Sequence, residues 1–112
     1  MAENNNNAKV RILSMIALAR KAGKIITGED GCEKTIRENE ECIVFISADA
    51  SDNTKKKFIN KTAYYKRPVF QIFTKEEIEQ HTGLHNRAVM VLTDNNFASK
   101  IIEMIDALDN NL

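Results

Sequence analysis

The stretch with the most chemical content reads Ser47-Ala48-Asp49-Ala50-Ser51-Asp52-Asn53-Thr54-Lys55-Lys56-Lys57, a strand end, a polar turn, a helix start and three consecutive lysines. A cation in the first helical turn faces the positive end of the macrodipole, at a cost of about 0.3–1 kcal/mol. A design serving stability alone avoids that placement. An anion site exploits it, because free backbone N–H groups, short hydroxyls and ammonium groups converge there, and the phosphate of a nucleic-acid backbone is the obvious anion. The plainer reading is a solvated lysine-rich face with Asp52 offsetting the dipole. Arg20, Lys21 and Lys24 crowd the end of the first helix, where cations complement the dipole on structural grounds alone. Lys34 and Arg37 lie among carboxylates at helical spacing, which accounts for them as ion-pair partners. Tyr64 and Tyr65 with Lys61, Lys66 and Arg67 interleave aromatic and basic groups. Such a pattern can stack and neutralise a single strand; alternatively one tyrosine fills the core and the other covers it.

Catalytic groups are poorly supplied. Cys32 falls in a helix and Cys42 opens an apolar strand, so both read as core residues rather than nucleophiles. They have neither CxxC spacing nor paired histidines, which argues against zinc and thioredoxin-type chemistry. His81 and His85 flank a glycine turn without HExxH spacing, and no GxxxxGK[ST] or GxGxxG occurs. Asp49 and Asp52 could hold magnesium, but a lone acidic turn is a thin signal. A phosphoacceptor domain, suggested by Asp49 at a strand end, should begin with a strand ending in paired acids, and this chain begins with a helix. The expectation is no catalytic residue, no metal and no cofactor.

The 112 residues fit one domain, and 43% hydrophobic content suffices for a core without disulfides or metal. Two cysteines without a pairing pattern suit a reducing compartment, so the expected location is cytoplasmic. No apolar run approaches the roughly 18 residues of a membrane span, and the asparagine-rich start lacks the apolar stretch of a secretory signal. Residues 1–8 are expected to be a flexible polar tail, Asp109 to Leu112 a shorter one, and 9–108 the folded domain. Net charge is zero, but charge is segregated along the chain. Lys9 to Lys24 holds five basic residues and no acid, and Asp49 to Arg67 six basic against two acidic. Glu29 to Glu41 holds six acidic against two basic, and Lys75 to Asp109 seven against three. Two basic segments are thus available to make one face.

The elements that must position these groups alternate in type. Lys9 to Lys21 reads as a helix stopped by Gly23, and Ile25 to Thr27 as a short strand. Thr27 offers a hydroxyl N-cap for a second helix reaching about Asn39, weakened by Gly31 by about 1 kcal/mol relative to alanine. Cys42 to Ala48 is a continuous apolar run, as found where both faces of a strand are covered. A helix over Ser51 to Lys66 points Phe58, Ile59, Thr62, Ala63 and Tyr65 inward and is closed by Pro68. Val69 to Phe73 is the next strand. Thr74 to Glu77 is a capping box for a short helix that ends at Gly83. Arg87 to Thr93 is the last strand, and a final helix from about Asn95 carries Phe97, Ile101, Met104, Ile105 and Leu108. Strands joined through helices give a parallel or mixed sheet between helical layers, an α/β domain built as a three-layer α/β/α sandwich. Ligand contacts are expected at Thr27–Asp30, Ala48–Thr54, Phe73–Lys75 and Thr93–Asn96, beyond the carboxyl ends of the strands.

Three segments together resemble the ribosomal protein L7Ae/L30e family, in its bacterial YlxQ-type branch. They are Gly23-Lys24-Ile25-Ile26-Thr27-Gly28, the Ala48 to Lys57 turn with its lysines, and Lys75-Glu76-Glu77 with Gly83 before the last strand. The likeness runs from about Ile12 to Ala107. It implies a mixed four-stranded sheet and a non-enzymatic protein that binds structured RNA, kink-turn-like or ribosomal, with protein partners in the translation machinery. In the family, the turn and start of the second helix read the RNA kink through a glycine and a lysine, which fall here on Gly28 and Lys34. The intervening positions fall on Asp30 and Gly31 and depart from the pattern. The second contact loop falls on Gly83-Leu84-His85-Asn86-Arg87-Ala88. The implied RNA-binding residues are Gly28, Glu29, Lys34, Gly83, Leu84 and Arg87, with Lys24, Lys55, Lys56 and Lys57 as backbone contacts. The alternative is a protein-interaction scaffold that kept the fold and lost kink-turn recognition, which Asp30 and the acidic second helix favour.

Overall fold

Side chains alternate across a strand, so a strand apolar at every position needs cover on both sides. The computed structural model describes residues 2–110, with side chains from Asn7 to Leu108. Its elements are α1 (Ala2–Lys21), β1 (Ile25–Thr27), α2 (Glu29–Glu38), β2 (Ile43–Ile46), α3 (Asp52–Tyr65), β3 (Val69–Phe70), α4 (Lys75–Thr82), β4 (Val89–Leu92) and α5 (Asn95–Asn110). Met1, Asn111 and Leu112, parts of the two expected tails, lie outside the described residues. Every position of β2 and β4 is buried, and their side chains divide strictly between two cores. Ile43, Phe45, Met90 and Leu92 join α1, α4 and α5 on one side. Val44, Ile46, Val89 and Val91 join α2 and α3 on the other. This is a three-layer α/β/α sandwich.

The sheet order is β1-β4-β2-β3. β2 and β3 are parallel, while β4 lies antiparallel between β1 and β2, so the sheet is mixed. The reversed β4 corrects one expectation. The carboxyl ends of β1, β2 and β3 share one end of the sheet with the amino end of β4, where Thr27 pairs with Met90 and Ile46 with Val89. The Thr93–Asn96 loop therefore lies at the opposite end, with the Thr93 N–H donating to the Lys24 carbonyl at 2.9 Å. The loop at the shared end is the one that precedes β4, from Gly83 to Ala88.

Several boundaries move for identifiable reasons. α1 starts at Ala2 rather than Lys9, so the backbone of the asparagine run is helical. The strand expected over Val69 to Phe73 is only Val69–Phe70, because its parallel pairing with β2 covers only Val44 and Phe45. Thr27 stays in β1, and Gly28 is the N-cap of α2 without a side-chain cap hydrogen bond. Ala63 is exposed rather than inward-facing, and α3 is anchored by Phe58 and Thr62. The Thr74 capping box forms as expected, its hydroxyl accepting from the Glu77 N–H at 3.1 Å and Glu77 accepting from the Thr74 N–H at 2.9 Å. Gly83, at φ 77°, closes α4 in the left-handed region. No helix among the described residues is long and apolar enough to cross a membrane.

Candidate nucleic-acid interface

At the shared end of the sheet, the start of α2 faces the start of β4. Gly28 and Glu29 on one side and Asn86, Arg87, Ala88 and Val89 on the other line a cleft of about 180 Å³. Gly28 turns the chain there with φ 85° and ψ 144°. That region is essentially closed to residues with a Cβ. Asn86, at φ 51°, supplies the second left-handed residue of the facing loop; asparagine tolerates this because its side chain can hydrogen-bond locally. The loop is tied down from below. Buried Ser47 donates its hydroxyl to the Arg87 carbonyl, and its N–H donates to the Ala88 carbonyl at 2.8 Å. Arg87 itself is exposed, and its guanidinium is in no ion pair among the described residues.

The expected site residues divide into three groups. Gly28, Glu29 and Arg87 line the cleft, and the lysine run stands beside it, because the first turns of α3 pack against α2. The link is an ion-pair cluster in which Lys57 reaches both Glu29, at 3.2 Å, and Glu33. The hydrogen bond from Lys57 is the main reason the Glu33 pKa is held below the usual carboxylate range, and Glu33 followed by Glu29 raises that of Lys57. Lys57 is thus a strut between two helices rather than a spare cation. Lys55 and Lys56 make no ion pair among the described residues.

A second group sits behind the cleft. Gly83 ends α4, and Leu84 is 7% exposed within the core formed with α1. Arg20 holds this corner by donating to the Thr82 carbonyl at 2.8 Å, and a Cβ at Gly83 would stand 3.2 Å from that guanidinium. Sequence reasoning placed Arg20 with the dipole-favoured cations and missed this role. The interaction spans 62 positions, beyond the reach of any local spacing rule.

A third group lies away from the cleft. Lys34 opens onto a wider groove of about 750 Å³ beside the unpaired edge of β1, with Ile26, Thr35, Glu38 and Thr93. Lys24 is at the far end of β1, where its carbonyl is bound by Thr93. Gly31 also has a packing reason, since a Cβ there would lie 3.2 Å from Cγ2 of Ile26. Asp49, considered for magnesium or phosphoryl chemistry, instead accepts the Lys75 N–H at 2.9 Å and steadies the start of α4.

The two thiols are chemically quiet. Burial, then charge repulsion from Cys42 and Glu29, pushes Cys32 up to about 12, and burial raises Cys42 against the pull of Arg67. In the unfolded chain Cys32 loses its proton near the ordinary value of 9.0, whereas the folded protein keeps it to about 12. Unfolding therefore releases a proton within that window, and stability must decline as pH rises through it. Thiol-reagent labelling of the native protein at pH 8 is expected to be negligible and to become complete in denaturant. Rapid native labelling of Cys32 would contradict its burial.

A mixed sheet of order β1-β4-β2-β3 between helical layers, with a glycine-turned helix start facing a polar loop, defines a class of small α/β/α proteins. The chain belongs to the ribosomal protein L7Ae/L30e/S12e/Gadd45 family, whose model matches residues 11–103. Among its relatives is the RNA-binding protein YlxQ of Enterococcus faecium, 42% identical over 102 residues that cover 91% of this chain and 98% of that protein. The RNA-binding protein YlxQ of Bacillus subtilis (strain 168) is 36% identical over 92 residues, covering 82% and 92%. A solved structure described as a protein with unknown function from Bacillus halodurans C superposes with a TM-score of 0.80 at 31% identity, covering 87% of this chain and 98% of that one.

Proposed function

We propose that this protein is a non-enzymatic RNA-binding module that grips structured RNA at the cleft between Gly28–Glu29 and Asn86–Val89. One observation carries the reading. The two segments that the family resemblance marks as contact elements, far apart in sequence, face each other across one cleft. Membership in a ribosomal-protein family and relatives named as RNA-binding support it. Arg87, Lys55 and Lys56 supply charge for phosphates, which positions an RNA without reading its sequence. Ribosomal or kink-turn RNA in the cytoplasm, within the translation machinery, is the target this reading implies.

The edge is not a uniform basic field, since Glu29 and Asp30 stand in the first turn of α2. Asp30 puts a negative charge at a position where this chain departs from the family pattern, so Asp30→Asn should tighten binding. Removing one repulsion near a phosphate is worth on the order of 1 kcal/mol, or about five-fold. Titration of a short duplex RNA with a kink-turn internal loop, at several salt concentrations, tests both points. Arg87→Ala and the Lys55→Ala/Lys56→Ala pair should weaken binding and flatten the salt dependence by about 0.9 per lost contact. Variants that bind as the parent does, or captured partners that survive nuclease treatment, would point to the scaffold reading instead.

A further inference from the structure

The exposed face of α3 carries a basic and aromatic surface that runs on beyond the cleft, from Lys56 to Tyr64. From Asn53 to Tyr65 the helix contains four lysines and no acidic residue. Its buried side is Phe58 and Thr62, while Lys56, Asn60 and Tyr64 are exposed at successive intervals of four. Those intervals put them on one face. Tyr64 is 78% exposed, the most open large apolar side chain among the described residues. Tyr65 braces its ring in a T-shaped contact, with centroids 4.8 Å apart at 81°. The neighbouring cation is already committed, because Arg67 donates to the carbonyls of Ile36 and Tyr65 and lies 5.9 Å from the Tyr65 ring. Lys56, Lys61 and Lys66 have no ion pair among the described residues. Lys66 also holds the left-handed conformation that closes the helix, at φ 60°, where glycine is the less strained residue.

We propose that this face of α3 is a second RNA-contact surface, on which a single-stranded segment flanking the structured element lies along Lys56, Lys61 and Lys66 with one base stacked on Tyr64. The proposal rests on the RNA-binding reading of the cleft and extends its footprint. α3 starts beside that cleft, joined to it by the Lys57–Glu29 ion pair, and Tyr64 lies about 12 Å beyond Lys56 at helical rise. An exposed, braced aromatic ring among unpaired cations is the arrangement that holds unpaired bases without sequence preference. A protein partner would equally meet the ring, but the run of lysines with no interspersed acid suits a polyanion.

The test compares the kink-turn duplex with blunt ends against the same RNA carrying an overhang of about eight uridines at either end. The overhang should strengthen binding about five-fold or more, and Tyr64→Ala should abolish that gain while leaving blunt RNA unaffected. Tyr64→Phe should retain it. Lys61→Ala/Lys66→Ala should reduce the salt slope by about 1.4 for the overhang RNA alone. Lys66→Gly should raise Tm by about 3–5 °C yet weaken binding of the overhang RNA, separating contact from folding. The chain has no tryptophan and two tyrosines, so quenching of tyrosine emission by the overhang reports stacking directly. An overhang that adds nothing, or a Tyr64→Ala variant that loses blunt and overhang RNA equally, overturns the proposal. If blunt RNA is not bound at all, the cleft reading fails separately. The α3 surface is then judged on an oligouridine of about twelve residues, whose binding must depend on Tyr64.

Discussion

Gly28→Ala should cost about 1–3 kcal/mol of stability and remove most of the RNA affinity, although the new methyl group touches nothing. The space around a Cβ at this position is empty to 4 Å, so packing does not enter. The cost comes from the backbone. At φ 85° and ψ 144° an L-residue with a Cβ is strained by about that amount. The chain can relieve it only by turning elsewhere, which shifts the first residues of α2. Those residues form one wall of the cleft, so binding should fall more than ten-fold where circular dichroism still reports a folded protein, an expected loss of about 1.4 kcal/mol or more. Alanine at Gly23, also at positive φ but at the opposite end of β1, serves as the control. It should share the stability loss and spare the binding. A Gly28→Ala protein that is destabilised yet binds normally would remove this turn from the interface.

Phe58→Ala should be the most damaging single change, at about 3–5 kcal/mol out of the 5–15 kcal/mol typical of a domain. Phe58 is fully buried and packs with Cys32, Ile36, Val44, Ile46, Val89 and Val91 in the core beneath α2 and α3. The other buried residue of α3 is Thr62, whose hydroxyl is spent on the carbonyls of Phe58 and Ile59. Deleting the phenyl ring therefore removes the principal apolar anchor of the helix that carries the lysines. Denaturant titration should show the midpoint fall with little change in slope, and Phe58→Leu should recover most of it, since a near-volume swap costs less than about 1.5 kcal/mol. An alanine variant within about 1 kcal/mol of the parent would mean that this core is not packed as described.

Much of the architecture was legible because it rests on periodicity. The continuous Cys42 to Ala48 run announced a strand covered on both faces, Arg87 to Thr93 announced another strand, and Thr74 with Glu77 announced a helix start by chemistry that operates within one turn. Strand direction was not legible. A helix before β4 suggested a parallel crossover, but neither the strand nor the helical period encodes which way a strand enters the sheet. Placing the Thr93–Asn96 loop at the ligand end followed from that gap. Lys57 was illegible for a similar reason. Its partners Glu29 and Glu33 sit on another helix, whereas spacing rules describe only neighbours along one. Leu84 was taken from the family loop as a contact, and the burial that makes it a core residue depends on α1, more than sixty positions away.

The pairing of Thr27 with Met90 joins positions 63 residues apart, and it governs when during synthesis the cleft can exist. A growing chain that has left the exit tunnel as far as α3 already owns the glycine turn and the lysines. It lacks the strand against which β1 must dock, and the loop that forms the facing wall. Pairings this distant are the slow step of a fold, because the intervening chain must be ordered before they are rewarded. Affinity for RNA at the cleft should therefore arrive all at once, when β4 has emerged and paired with β1, and a fragment stopping short of Leu92 should lack it.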